Sequence, residues 1–303
     1  MTLTAAVPTA APPSRLRAGV GFAMLSAAAV GGGWLFVALD RATGQITGAG
    51  STVSTSGTTA GQGLWILVPA LTAIVLRLVV RDGAGPLGLT PRFPHPVRWL
   101  AFAAAAFPVA VAVCVAAALT TGAAAFSLTP SAGKPSLPAA LASTLGFLVV
   151  KNLLEELVFR GYGTRTAAAL GLPGVVPHVL VGLVWGLWHI PLYAVWMAPA
   201  DLDATTTLPF AWYLPAFLAG TVALAVLYGE MRLWTGSIWP GVVLHTVSNA
   251  LSTPLLVDGH LRYRGHGDLL FGIAPGSLAS VLLFGGAGLY LHRRRVRQVP
   301  KRQ

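Results

Sequence analysis

The sequence predicts an all-α integral membrane protein of about eight transmembrane helices, and three observations carry that expectation. Of 303 residues, 55% are hydrophobic and only 10% are charged, whereas soluble domains run about 25% charged. Mean hydropathy is +0.71. The apolar runs recur almost end to end, each close to the roughly 20 residues needed to cross a bilayer. The length would also allow two soluble domains, but this recurrence reads as one membrane-embedded unit.

Residues 1–17 begin as a small, Pro-rich tail expected to be disordered, with Arg15 and Arg17 just ahead of an apolar run at 18–39. A positive flank followed by an apolar stretch also describes a signal peptide. This run is long enough to span, however, and no convincing cleavage site follows it, so an uncleaved first helix is expected. Spans at 62–80 and 98–120 complete an N-terminal part over 18–130. A flexible loop, TGQITGAGSTVSTSGTTAGQ, lies between its first two spans. Four further spans at 138–160, 174–197, 209–229 and 236–257 make a core over 138–257. A last span at 269–291, within 258–291, leads to a basic tail at 292–303. No internal repeat is present.

The net charge of +11 is compatible with nucleic-acid binding in magnitude but not in distribution. The C-terminal HRRRVRQVPKRQ concentrates it, and most other basic residues sit between apolar spans, a pattern suited to the anionic face of a membrane. With the N-terminus inside, thirteen Lys and Arg residues fall in inner segments and four in outer ones. That asymmetry predicts a multi-pass protein of the cytoplasmic membrane with both termini inside. The partners expected are the lipid bilayer and a peptide or protein, with no nucleic acid. Scarce Lys beside abundant Arg, Ala and Gly hints at a GC-rich bacterial genome. Cys114 is the single cysteine, so an intrachain disulfide and a thiol metal cluster are excluded, and a small buried hydrophobe is expected there.

Against this background the segment KNLLEELVFRGYGTR (151–165) stands out. Charged groups inside a spanning helix cost at least about 2.5 kcal/mol each and usually face a protein interior or hydrated cavity. Glu156 and Arg160 stand at i and i+4, on one face, where they neutralise each other. Glu155 is turned about 100° away and is expected to point elsewhere. Lys151 lies four residues before Glu155, either pairing with it or snorkelling away. In the fifth span, VVPHVLVGLVWGLWHIPLYAVW, His189 lies among Leu, Val and Trp, with Trp185 one turn earlier; His178 is read as interfacial. In the seventh, His245 and Asn249 share a face and offer two donors, suited to a developing oxyanion or to a helix–helix hydrogen bond. Taking the fourth helix to end just after Arg160 puts Glu155 about 8 Å from that end. All three polar positions then fall in the inner half of the bilayer and are expected to meet in one cavity.

EELVFRGY (155–162), WGLWH (185–189) and HTVSN (245–249) follow the EExxxR, F/WxxxH and HxxxN patterns in order. Together with RLWTGSIWPGVVLH they resemble the CPBP family of intramembrane metalloproteases, which includes CAAX prenyl endopeptidases and bacteriocin-processing, Abi-type proteins. The resemblance covers about residues 138–257. It implies an intramembrane endopeptidase in which Glu155 is the general base activating water. His189 would hold or polarise that water, His245 and Asn249 would stabilise the oxyanion, and Glu156 with Arg160 would be structural support. Trp185 stands where Phe is commoner, and Lys151 beside Glu155 departs from the pattern.

A zinc ion would find three N/O ligands in Glu155, His189 and His245, although no HExxH or Cys/His cluster is present. Without metal, Glu155 itself takes the proton. Two non-enzymatic readings stand beside the protease. One is a membrane immunity factor or scaffold using the same cluster for helix packing. The other is a proton-coupled transporter, against which stand the missing repeat and the missing polar residues in the outer half.

Overall fold

The protein is described by a computed structural model over residues 14–46, 59–81 and 85–298. Helices α1 (Arg15–Ala42), α2 (Ala60–Val79) and α3 (Pro96–Thr120) precede a three-residue strand, β1 (Ala124–Phe126). Next comes α4 (Leu137–Glu156), which runs through a π-helical segment, Leu157–Thr164, into α5 (Arg165–Ala169). Helix α6 (Val176–Pro191) also ends in a π-helical turn, Leu192–Trp196, and a short α7 (Pro199–Thr205) follows. The chain finishes with α8 (Phe210–Thr235), α9 (Trp239–Leu256), β2 (Leu261–Tyr263), α10 (Gly267–Phe271) and α11 (Leu278–Gln298).

Local chemistry sets these boundaries. Thr59 caps α2 in a reciprocal box with Gln62, which satisfies two of the first-turn N–H groups. Proline stands in the first turn of α3, α4, α6 and α9, where its missing N–H has no partner to lose. Gly236, left-handed at φ 69°, stops α8, so that the chain reverses into α9 within three residues. The two strands pair antiparallel, Ala125 opposite Arg262, and tie the α3–α4 connection to the α9–α10 connection.

Helix α4 packs along α9, α6 along α8, and α1 along α2. One core joins α1, α2, α6 and the π segment, where Leu25, Trp65, Phe159, Tyr162 and Trp188 are wholly or almost wholly buried. A second joins α3, α8, α9 and α11 around Phe107, Met231, Leu244 and Phe284. Many large apolar side chains face outward instead, among them Leu78, Val109 and Leu282, as a lipid-facing surface requires. Cys114 is buried.

Two charged residues fasten the ends of the bundle. Asp40 is 0% exposed and accepts hydrogen bonds from Thr59 Oγ1 (2.5 Å), Gly61 N (2.7 Å) and Trp196 Nε1 (2.9 Å). It thereby joins the end of α1, the start of α2 and the end of α6. At the opposite end Glu230 of α8, also 0% exposed, receives His178 Nε2 (2.9 Å), His292 Nδ1 (2.8 Å) and Arg295 Nε (2.6 Å). It holds α6 and α11 together.

The sequence expectations need several corrections. Among the described residues six helical stretches, Leu137–Ala169 among them, are long and apolar enough to cross a membrane by length and composition, where about eight spans are expected. The two that fall short are α9, with His245, Thr246, Ser248 and Asn249 within five residues, and α11, which ends in a run of arginines. The structure is consistent with the all-α expectation, with one pair of three-residue strands added to the helices. The last span begins later than position 269, because Pro275–Gly276 breaks the chain between α10 and α11. Of the basic tail at 292–303, residues 292–298 continue α11, and His292 and Arg295 bond to Glu230. His178, in the first turn of α6 and expected near the membrane interface, is 1% exposed and packs against Glu230. The fourth helix does not end after Arg160: helical backbone continues to Ala169, putting Glu155 about 21 Å from the end at 1.5 Å per residue. Residues 1–13 of the expected disordered tail and most of the 43–62 loop lie outside the described residues.

Replacing Asp40 with Ala strands three buried donors at once. It is expected to lower stability by about 3 kcal/mol, read as a fall in unfolding temperature in detergent. The exposed Asp203→Ala should shift stability by less than about 0.5 kcal/mol.

Candidate active site

The site begins where α4 gives way to the π-helical segment. A π turn carries its i→i+5 hydrogen bonds at about one extra residue, a geometry common at functional positions. Here Thr164 Oγ1 also bonds back to the carbonyl of Phe159, five residues earlier, at 3.0 Å. All eight residues of the segment are buried, because α2, α6 and α8 surround it. Just before and within it, Glu155, Glu156 and Arg160 are 2%, 0% and 1% exposed.

Glu156 is held from two sides. Arg160 Nε lies 3.3 Å from its Oε2, and His245 Nδ1 lies 3.0 Å from its Oε1. A carboxylate only accepts, so Nδ1 carries the proton of this bond. Arg160 has its guanidinium 4.0 Å from the Trp185 ring centroid and 4.4 Å from that of Tyr228. The two aromatic faces supply cation–π attraction where its Nη groups find no hydrogen-bond acceptor among the described residues. Helix α9 approaches this carboxylate at Gly241, where a Cβ would stand 2.6 Å from Glu156 Oε2.

Glu155 has a different set of neighbours. Lys151 donates to its Oε1, Trp185 Nε1 donates to Oε2 at 3.4 Å, and His245 Nε2 stands 3.7 Å from Oε2. The last distance is too long for a direct hydrogen bond, but both atoms lie within reach of one small molecule placed beside them. The two adjacent carboxylates therefore flank the same imidazole. Sequence spacing turned Glu155 away from Glu156; the long side chains and the approach of α9 bring both back to His245.

His189, one turn beyond Trp185, is half-buried in an aromatic cage. Its ring lies 4.7 Å from Trp188 and 5.9 Å from Trp185 between centroids. Trp65 and Trp188 lock each other by stacking at 4.0 Å and by reciprocal indole-to-carbonyl hydrogen bonds of 3.0 and 3.3 Å. His189 Nδ1 lies 2.8 Å from the carbonyl oxygen of Trp185; since that oxygen accepts, Nδ1 carries the proton and Nε2 keeps its lone pair in the neutral ring.

Asn249, one turn beyond His245, donates through Nδ2 to Asn152 Oδ1 at 3.0 Å. Its amide has a second N–H. Asn152 is 0% exposed; it also donates to Thr246 Oγ1 at 3.4 Å and accepts from Lys151 at 3.3 Å. Sequence reasoning passed over Asn152. Its position at i and i+4 with Glu156, on one face, was the available signal. The roles of Trp185 as a donor and Tyr228 as a stacking face depend on tertiary contact and had no such signal.

Glu155, Glu156, Arg160 and His245 thus come together directly, Asn249 joins through Asn152, and His189 neighbours the group through Trp185. Among the described residues no three His, Cys, Asp or Glu side chains are arranged to hold a metal ion. Glu155, His189 and His245 therefore do not fit zinc as they stand, and no step below passes through a metal.

Residues 137–251 match the family model described as type II CAAX prenyl endopeptidase Rce1-like. That segment carries all three motifs and bears out the resemblance read from them. None of the curated proteins matches the chain. The Rce1-like family is a protease family, and its match spans α4 through most of α9, the elements that supply the cluster. The N-terminal helices and α11 lie outside it.

Removing one partner of a buried ion pair leaves the other uncompensated. Arg160→Met and Glu156→Gln should each lower stability by about 3–5 kcal/mol, while the double variant should lose clearly less than their sum. Thermal unfolding in detergent across this cycle checks the coupling.

Proposed function

We propose that this protein is an intramembrane endopeptidase that hydrolyses a peptide bond near the cytoplasmic face of a bacterial membrane. The observation that carries the reading is the pair of buried carboxylates on opposite nitrogens of His245, one braced by Arg160 and the other 3.7 Å from Nε2. The excess of Lys and Arg in inner segments supports both termini inside and eight crossings, with α9 and α11 spanning within the shelter of the bundle.

In this mechanism a water beside Glu155 transfers a proton to its carboxylate as the oxygen attacks the scissile carbonyl. His189 holds that water through the lone pair on Nε2. The oxyanion of the tetrahedral intermediate is stabilised by the second N–H of Asn249 and by His245, when its Nε2 is protonated. Glu156 orients the imidazole through Nδ1, and Asn152 fixes which way the Asn249 amide faces. Collapse of the intermediate breaks the C–N bond, and the proton on Glu155 passes to the leaving amine. Lys151 must part from Glu155 as substrate arrives.

That same Lys151 contact favours a second reading. A fully paired Glu155 suits a non-catalytic immunity factor or scaffold, in which the cluster only packs helices.

Reporter cleavage in membranes separates the two. Glu155→Gln should abolish cleavage at unchanged expression, and Asn249→Ala should lower kcat by about 10²–10³-fold, as loss of one oxyanion donor does. Cleavage or phenotype that survives Glu155→Gln supports the scaffold. A chelator arm reports on metal: activity lost with chelator and restored by zinc would restore the metal reading.

A further inference from the structure

An apolar groove of about 330 Å³ opens on the outer surface of the bundle between α3 and α11, with α8 as its floor. Phe102, Ala106 and Val109 form one wall, Leu283 and Ala287 the other, and Leu227 the base. The two walls touch at the Phe107–Phe284 stack, 5.8 Å between centroids. Short alanine side chains keep the rest apart. Such a slot in a lipid-facing surface is lined wholly by apolar residues, as a hydrocarbon chain requires.

What distinguishes this groove is the chemistry at one end of it. Along α3, position 98 lies four residues before Phe102 on the same face, and it is Arg98. Along α11, the spacing 283, 287, 290, 294, 297 continues one face from Leu283 and Ala287 to Tyr290, Arg294 and Arg297. Both walls therefore run into arginines at the end where α3 begins and α11 finishes. Arg98, Arg293, Arg294 and Arg297 are all exposed, and none of them makes an ion pair to an acidic side chain among the described residues. Arg295, by contrast, turns inward to Glu230. Arg294 lies over the Tyr290 ring at 5.6 Å. Trp99 and Trp234 close the floor at this end, 6.1 Å apart between centroids, with Trp234 Nε1 bonded to the carbonyl of Leu291 at 3.2 Å. Indole rings favour the depth of the headgroups.

We propose that this groove is a binding site for one anionic phospholipid, its acyl chain lying between α3 and α11 and its phosphate meeting Arg98 and Arg294. The charge chooses the headgroup: an anionic lipid satisfies arginines that a zwitterionic one leaves poorly neutralised. The apolar slot requires a chain as well as a phosphate, so free phosphate or a soluble headgroup does not suffice. The site is independent of the peptidase reading.

Native mass spectrometry of the full chain, released from detergent after titration with phosphatidylglycerol or phosphatidylcholine, tests it. One phosphatidylglycerol should be retained in preference to phosphatidylcholine. Arg98→Gln and Arg294→Gln should each weaken that retention about fivefold, the effect of one basic residue near an anionic surface. Glycerophosphate, which has the headgroup chemistry without a chain, should not bind. Ala106→Phe, which fills the groove, should reduce retention of phosphatidylglycerol with the arginines intact. Equal retention of the two lipids by the unmodified protein overturns the proposal without recourse to any variant. So does retention unchanged by both arginine substitutions, and glycerophosphate binding as well as the lipid would reassign the site to a bare anion.

Discussion

The arrangement depends on a carboxylate that no solvent reaches. Glu156 has 0% exposure, and burying an ionised group without partners would be prohibitive. Its partners come from two directions, Arg160 from its own helix and His245 from α9. Satisfying Glu156 therefore fixes where α9 must sit against α4. Gly241 permits the approach, and the imidazole then fixes the position of everything else on its face. Glu155 stands next to this anchor in sequence and inherits its geometry, while its own environment remains different.

Arginine suits this position for a physical reason that lysine would not share. A planar guanidinium rests against the rings of both Trp185 and Tyr228 and still lies within ion-pair distance of the carboxylate through Nε. Trp185 works on both of its sides: its face covers Arg160, its N–H reaches Glu155, and its backbone carbonyl sets the tautomer of His189. The polar network is consequently continuous with the aromatic packing around Trp65 and Trp188. A shift in one would be felt in the other, as expected of close-packed interiors.

Much of this was legible in the sequence because membrane helices concentrate information. Length and hydropathy placed α1, α2 and α3 within about three residues, and the cost of charge in an apolar run singled out Glu155, Glu156, Arg160, His189 and His245. Spacing alone paired Glu156 with Arg160 and set Trp185 beside His189. Sequence periodicity failed where the backbone left the α-helix: the π segment extended the fourth helix well past Arg160 and moved its end. It failed again for Asn152 and His178, whose partners lie on other helices. Length and hydropathy alone pick out six stretches among the described residues, because the polar side chains of α9 and α11 lower hydropathy even where neighbouring helices shelter them.

The π-helical stretch between Leu157 and Thr164 has an implication for how this chain can change over time. Each residue in a regular helix turns the backbone by about 100°. Losing one from this stretch would relax it toward ordinary winding and swing Arg165–Ala169, with the connection to α6, around the axis. His189 would be carried off with α6. Point substitutions on the outward faces are cheap by comparison. Over these eight residues, length itself is under constraint, and a register change would separate the histidines before any motif residue was altered.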